Sequence, residues 1–291
     1  MVSSQSDTRM VDVHAGRLAV HTWGVGAPAV VFISGLGDPA SVWQPVIARL
    51  GKLTTFLTYD RAGVGESGDL PPRDAETPMP ASWAARQLHD LLTATLAGQR
   101  VVLVGHSLGG QIADAFAIKW PELVAGLVLV DAVDAELYLK IRPQRPVFDD
   151  ATPDRAGRGW KWDVAASAAE YGATEPAVHP PTVVVTSAIW RWFEAKQPEL
   201  YRPLSLAEVD QRWQLAQLHH ARRWRGELVV AHEAGHRLHE DTPGLLAAVI
   251  APVVEAAASG AILKLDRERI RQEGGGLRPT RHAGESSPPP T

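Results

Sequence analysis

Short apolar runs recur along the chain at Arg17–Thr22, Ala29–Ile33, Thr54–Tyr59, Val101–Val104, Leu127–Val130, Thr182–Thr186 and Glu227–Ala231. Each has the length of a strand. The central ones are apolar at consecutive rather than alternate positions, as parallel strands covered on both faces require. Between them lie stretches of helical periodicity, Ser82–Leu96, Gly110–Lys119, Leu206–Arg222 and Pro243–Ala257. The last opens on Thr242-Pro243, a favourable N-cap and first-turn pair. This alternation predicts an α/β fold built on a mostly parallel, doubly wound sheet.

Two segments interrupt the alternation. Residues 132–181 contain no obvious strand and carry Pro, Gly, charge, Trp160 and Trp162, which reads as a short lid inserted after Leu127–Val130. Ala188–Leu204, with Trp190, Trp192 and Phe193, extends a strand-to-helix loop. From Gly274 onward the Gly- and Pro-rich composition predicts a disordered tail over residues 274–291, leaving 1–273 as one expected domain.

Composition narrows the function. The 291 residues carry a net charge of −4, which gives no basic footprint for nucleic acid. There is no cysteine, so disulfides, thiol nucleophiles and thiolate metal sites are excluded. Residues 244–263 approach the length of a membrane span, but Pro252 and Glu255 interrupt them and Ala and Gly supply much of their apolar character. A packed helix is the better reading, and no membrane partner is expected. The polar N-terminus lacks the apolar run of a secretory signal, so the expected location is the cytoplasm.

The chemistry centres on Gly105-His106-Ser107-Leu108-Gly109, a G-x-S-x-G pattern between a strong strand and an opening helix. That is the context a nucleophile elbow needs: a sharp turn projecting a serine hydroxyl, with glycines where side chains would collide. Three other blocks accompany it: Val30-Val31-Phe32-Ile33-Ser34-Gly35-Leu36-Gly37, Tyr59-Asp60-Arg61-Ala62-Gly63-Val64-Gly65-Glu66-Ser67, and Ala234-Gly235-His236-Arg237-Leu238-His239-Glu240-Asp241-Thr242-Pro243. In this order and spacing the chain resembles the α/β-hydrolase superfamily over residues 10–257.

The resemblance implies a catalytic serine, base and acid in that fold. Ser107 is the nucleophile. His236, in the loop after the last strand, is the base; His239 reads instead as a helix-entry hydrogen-bonding residue, His106 as structural, and His219 and His220 as helix-surface or packed residues. The oxyanion donors map to the backbone amides of Leu36 and Leu108, although Ser34-Gly35 replaces the usual His-Gly pair. The commonest acid position, after Thr182–Thr186, offers no carboxylate before Glu194. Some relatives, haloalkane dehalogenases among them, place the acid after the strand following the elbow helix, which here is Asp131. Asp131 is the leading candidate, with Glu194 and Asp134 as alternatives.

The other patterns are bland. Asp60-Arg61 and Gly63–Ser67 form a tight turn, with Arg61 in local ion pairs. The glycine pairs at 24–26 and 35–37 lack a following G-K-[ST], so they are not phosphate loops. His232-Glu233-Ala234-Gly235-His236 spells H-E-x-x-H, but it follows a strand and contains a glycine, so no metal is expected there. The expected activity is therefore a cofactor-free serine hydrolase for a carboxylic ester, lactone or thioester of a small apolar substrate, with Trp160, Trp162 and Trp190 lining the pocket. A C–C bond hydrolase, a perhydrolase or a slow-turnover small-molecule receptor could carry the same residues.

Overall fold

Strands that are apolar on consecutive positions need cover on both faces, and the tertiary structure supplies it. A computed structural model describes residues 7–14, 16–142, 145–194 and 198–280, the side chains at 172, 173, 193 and 194 excepted. The strands are β1 (Asp7–Val13), β2 (Gly16–Trp23), β3 (Ala29–Ile33), β4 (Phe56–Tyr59), β5 (Pro78–Met79), β6 (Val101–His106), β7 (Val124–Val130), β8 (Val147–Asp150), β9 (Trp160–Asp163), β10 (Thr182–Thr186), β11 (Glu227–Ala231) and β12 (Gly275–Arg278). Nine of them form one sheet in the order β1-β2-β4-β3-β6-β7-β10-β11-β12. The six from β4 to β11 run parallel, and antiparallel strands close both edges.

Alternate residues of each central strand feed two separate cores. Val31, Ile33, Leu103 and Leu129 point to one, Val30, Phe32, Val104 and Val130 to the other. Among the helices α1 (Gln44–Leu50), α2 (Pro72–Glu76), α3 (Ala81–Leu96), α4 (Leu108–Lys119), α5 (Ala135–Ile141), α6 (Val164–Ala173), α7 (Leu206–Arg223), α8 (Leu238–Asp241), α9 (Pro243–Ser259) and α10 (Arg267–Gln272), α3, α4 and α7 cover the first face. Helices α1 and α9 cover the second. The chain leaves β3 on one side, to β4, and returns to β6 on its other side. The loops after β3 and β6 therefore diverge at a switch point, where open α/β sheets place their ligands.

Several expectations need correction. Residues 132–181 do contain strands: β8 and β9 pair antiparallel and β9 pairs parallel with the two-residue β5, making a small sheet beside α5 and α6. The signal was weak because each strand has only four residues. The tail expected from Gly274 is ordered at its start, where β12 pairs antiparallel with β11 from Gly275↔Ala231 to Arg278↔Leu228. Its glycines bring almost no apolar area of their own; the pairing satisfies the backbone groups along the open side of β11. Residues 281–291 lie outside the described residues. The exposed strand β1 was also missed, its sequence DTRMVDV being largely polar.

Pro243 opens α9 as expected, but Thr242 does not cap it: its hydroxyl donates to the Leu238 carbonyl at 3.3 Å. Leu245, Leu246, Val249, Ile250 and Val253 of α9 are fully buried against the sheet. Among the described residues no helix is long and apolar enough to cross a membrane.

Candidate active site

The turn from β6 into α4 holds Ser107 at φ +53°, a backbone conformation L residues rarely adopt. It is possible only because of its glycines. A Cβ on Gly105 would collide with the Gly109 carbonyl, and one on Gly109 with the Ile33 carbonyl. The Ser107 amide donates to Val130 O at 3.0 Å, and its carbonyl accepts from Val133 N at 3.1 Å, which locks the elbow to the end of β7.

Asp131 follows β7 directly and also has positive φ, +44°. Its amide donates to Val185 O of β10 at 2.7 Å. Strain at two neighbouring strand ends, both pointing to one rim of the sheet, marks this rim as a functional candidate. His236, in the loop after β11, connects them: its Nε2 lies 3.0 Å from Ser107 Oγ and its Nδ1 2.7 Å from Asp131 Oδ2. With both nitrogens engaged, His236 has none left for a metal shared with His232, whose side chain is exposed.

Asp131 is completely buried and heavily solvated by protein groups. Its Oδ1 accepts from Trp213 Nε1 at 2.8 Å, Ser187 N and Oγ at 3.0 Å each, and Thr186 Oγ1 at 3.2 Å. Arg191 Nη2 sits 3.3 Å from Oδ2, with its guanidinium over the rings of Trp192 and Trp213. Burial alone would push this carboxyl up. Arg191, His236 and the Ser187 amide override that and hold it well below the usual carboxylate range. Arg191 and Trp213 were not legible as site residues, because nothing in their local sequence ties them to a carboxylate 60 to 82 residues earlier.

The alternative acids fare differently. Asp134 is the N-cap of α5, accepting from Leu137 N at 2.8 Å. The side chain of Glu194 lies outside the described residues.

Leu108 is the first residue of α4, and Leu36 stands in the turn after β3. The brace on that turn is Arg61, whose partners reach well beyond the local ion pairs expected of it. Its Nη1 donates to Ser34 O at 2.7 Å and its Nη2 to Gly35 O at 2.5 Å. The partner carboxylate is remote: Asp150 of β8 binds Arg61 Nε and Nη2 at 2.5 and 2.8 Å. The same Asp150 accepts from Gly37 N at 2.7 Å. Both members of this ion pair are buried, so the insertion and the turn after β3 share one polar anchor. The Ser34 hydroxyl adds a 3.3 Å bond to Pro39 O.

Of the tryptophans expected to line a pocket, Trp190 borders a surface cleft with Ile189, Gln214 and Leu215, whereas Trp160 and Trp162 do not face one. Trp160 and Trp162 are each 1% exposed and form the core of the inserted sheet, with Phe148 and Tyr138 packed on Trp162. Their indole N–H groups donate to Met79 O and Ser167 Oγ. In a W-x-W strand both face the same way, and here that way is inward. Trp190 takes the other extreme, 68% exposed at φ +85° beside Ile189 and Leu215.

His239 also departs from expectation. Its ring is fully buried, and neither nitrogen has a hydrogen-bond partner among the described residues. His220 is packed as expected, with Nδ1 2.9 Å from the Tyr171 hydroxyl.

The chain belongs to the alpha/beta hydrolase family, whose family model matches residues 30–249. An uncharacterized protein of Mycobacterium tuberculosis is 41% identical over 120 residues, covering 41% of this chain and 33% of that protein. A Yersinia enterocolitica protein named as a candidate carbamate hydrolase, RutD, is 32% identical over 109 residues, covering 36% of each. These matched stretches span about a third of each relative's length. A solved structure of a thermophilic esterase from Thermogutta terrifontis has the same fold, with TM-score 0.58 and 19% identity, covering 86% of this chain and 99% of that one.

Proposed function

We propose that this hydrolase-family member is a serine hydrolase that opens a carboxylic ester, lactone or thioester through an acyl-enzyme on Ser107. The observation that carries the reading is the continuous hydrogen-bonded chain Ser107–His236–Asp131 on a strained elbow. Asp131 is an anion and accepts at Nδ1, so that nitrogen holds the proton and Nε2 presents its lone pair to the serine hydroxyl. Ser107 Oγ attacks the carbonyl as Nε2 takes its proton. The resulting imidazolium is stabilised by Asp131 and gives the proton to the leaving group.

The negative charge on the tetrahedral oxygen falls to the amides of Leu108, at the positive end of α4, and of Leu36, which has no acceptor among the described residues. Water activated by His236 then releases the acid. None of these steps calls on a cofactor or metal. A carbamate presents the same attackable carbonyl, so the name of the RutD relative widens the leaving group without altering these roles.

The reading is tested by labelling with a fluorophosphonate and by hydrolysis of p-nitrophenyl esters graded in acyl length. One label per chain on the peptide holding Ser107, lost in Ser107→Ala together with turnover, is the expected result. Labelling that persists in Ser107→Ala would overturn the assignment. A burst of p-nitrophenol without steady-state release would mark a slow-turnover receptor instead.

A further inference from the structure

Beside the His236 loop, three side chains that the hydrolytic steps do not use converge. The ligating atoms of Asp38, His106 and His239 all lie within 4.8 Å of one another. His106 Nδ1 is 3.9 Å from Asp38 Oδ2, and the His106 and His239 rings meet edge to face with centroids 4.6 Å apart. Both rings are buried, His106 at 1% exposure and His239 at 0%.

Their hydrogen bonding is incomplete in a particular way. His106 Nε2 donates to the His236 carbonyl at 2.7 Å, which fixes the tautomer and leaves a lone pair on Nδ1. Among the described residues nothing donates to that lone pair, and both His239 nitrogens are equally unpartnered. Native structures rarely leave several buried polar atoms unmet at one spot without a reason.

Two further features fit a bound ion. A Cβ on Gly35 would lie 2.9 Å from both Asp38 Oδ2 and His106 Nδ1, so the glycine keeps open the space between two donors. Asp38 Oδ1 accepts from Arg237 Nη1 at 2.8 Å, leaving Oδ2 to face the histidines. A carbonyl behind one histidine and a donor behind the carboxylate are the outer partners that metal ligands ordinarily have. Burial also pushes both histidines down, His239 to about 4, so they are neutral and ready to ligate at neutral pH.

We propose that Asp38, His106 and His239 form a binding site for one late first-row divalent ion of the Zn2+ type, separate from the Ser107–His236–Asp131 chain. Two imidazoles and one carboxylate, with a water in a fourth position, suit tetrahedral Zn2+ or Co2+, whereas Mg2+ and Ca2+ require more oxygen ligands. Bonds of about 2.0–2.2 Å set tetrahedral donors roughly 3.4 Å apart, so binding draws the three groups together by no more than about 1.5 Å. Asp38, 16% exposed, offers the route in. Because His106 holds the His236 carbonyl, the ion would stiffen the loop that carries the base.

The test is a titration of protein freed of metal by EDTA and exchanged into metal-free buffer. Co2+ should bind at one equivalent with the intense visible absorption of a tetrahedral complex, and Zn2+ should displace it and raise the melting temperature. Asp38→Asn and His239→Phe should each weaken Co2+ binding at least tenfold, while His232→Ala, at an exposed histidine, should leave it unchanged. His239→Phe keeps the ring volume and removes two unpartnered nitrogens; Asp38→Asn makes the same test at a partly exposed position. Absence of stoichiometric Co2+ binding, or equal binding in both variants, or binding lost in His232→Ala, would overturn the proposal.

Discussion

Replacing Asp131 with asparagine changes one atom at the most heavily bonded carboxylate of the site, and its consequences divide cleanly. If the amide oxygen keeps the four donors on the Oδ1 side, the NH2 group faces His236 Nδ1 and Arg191. The imidazole must then turn its lone pair toward the amide and its proton toward Ser107, the wrong tautomer for a base. With no anion to stabilise the imidazolium, kcat should fall by up to about 10⁴, close to 5 kcal/mol. A second effect concerns stability. Arg191 is 12% exposed, and the variant leaves its charge with only the more distant Asp210 as counter-ion, at a cost of up to roughly 3–5 kcal/mol. The two effects separate in the double variant Asp131→Asn/Arg191→Met, which should regain much of the stability and none of the rate. Ester hydrolysis gives kcat and urea unfolding gives stability for all four members of the cycle. A single variant within tenfold of wild-type kcat, or a double variant that recovers turnover, would refute the assignment of Asp131.

Arg191→Met by itself removes the guanidinium that helps hold the Asp131 carboxyl below the usual carboxylate range, so on acidification the variant should lose stability at higher pH than wild type; identical acid unfolding would remove Arg191 from the electrostatics of the site. His239 holds a folded-state pKa of about 4 against 6.5 when free, so the unfolded chain takes the proton first and stability is lost as pH falls through that window. Urea unfolding of metal-free protein at pH 7 and pH 4 should show His239→Phe losing roughly 3 kcal/mol less than wild type, and equal losses would contradict the burial of that ring. Truncation after Glu273 deletes β12, unpairs β11 and removes the Gly274 carbonyl that accepts from His232 N, so Tm should drop by at least about 4 °C; an unchanged melting curve would show that the last strand contributes nothing.

What could be read in the sequence was what local pattern encodes. Val30 to Ile33 and Val101 to Val104 declare buried parallel strands because both their faces are apolar, and those faces do enter two different cores. Ser107 was visible through the glycines that its backbone needs, and Asp131 and His236 through their places at strand ends. What stayed hidden depends on distant partners. Arg191 reads as an ordinary charged residue until Asp131 is set beside it. Trp160 and Trp162 suggest a ligand pocket until the strand pairing turns both inward. The glycine run 274–276 has the composition of a tail, and becomes a strand only because β11 offers an open edge. Asp150 was equally silent, since its meaning comes from Arg61, 89 residues away.

The Asp150–Arg61 contact constrains how variants of this protein can be made. Asp150 belongs to the insertion, yet it grips both the arginine behind the Ser34–Gly37 turn and the Gly37 amide within it. In an engineered chimera, exchanging the insertion would also exchange the anchor of the turn that carries the proposed oxyanion donor, Leu36. The insertion and the Ser34–Gly37 turn are thus linked through a single carboxylate. A donor insertion must bring an aspartate at that position, or the recipient must surrender Arg61 along with it.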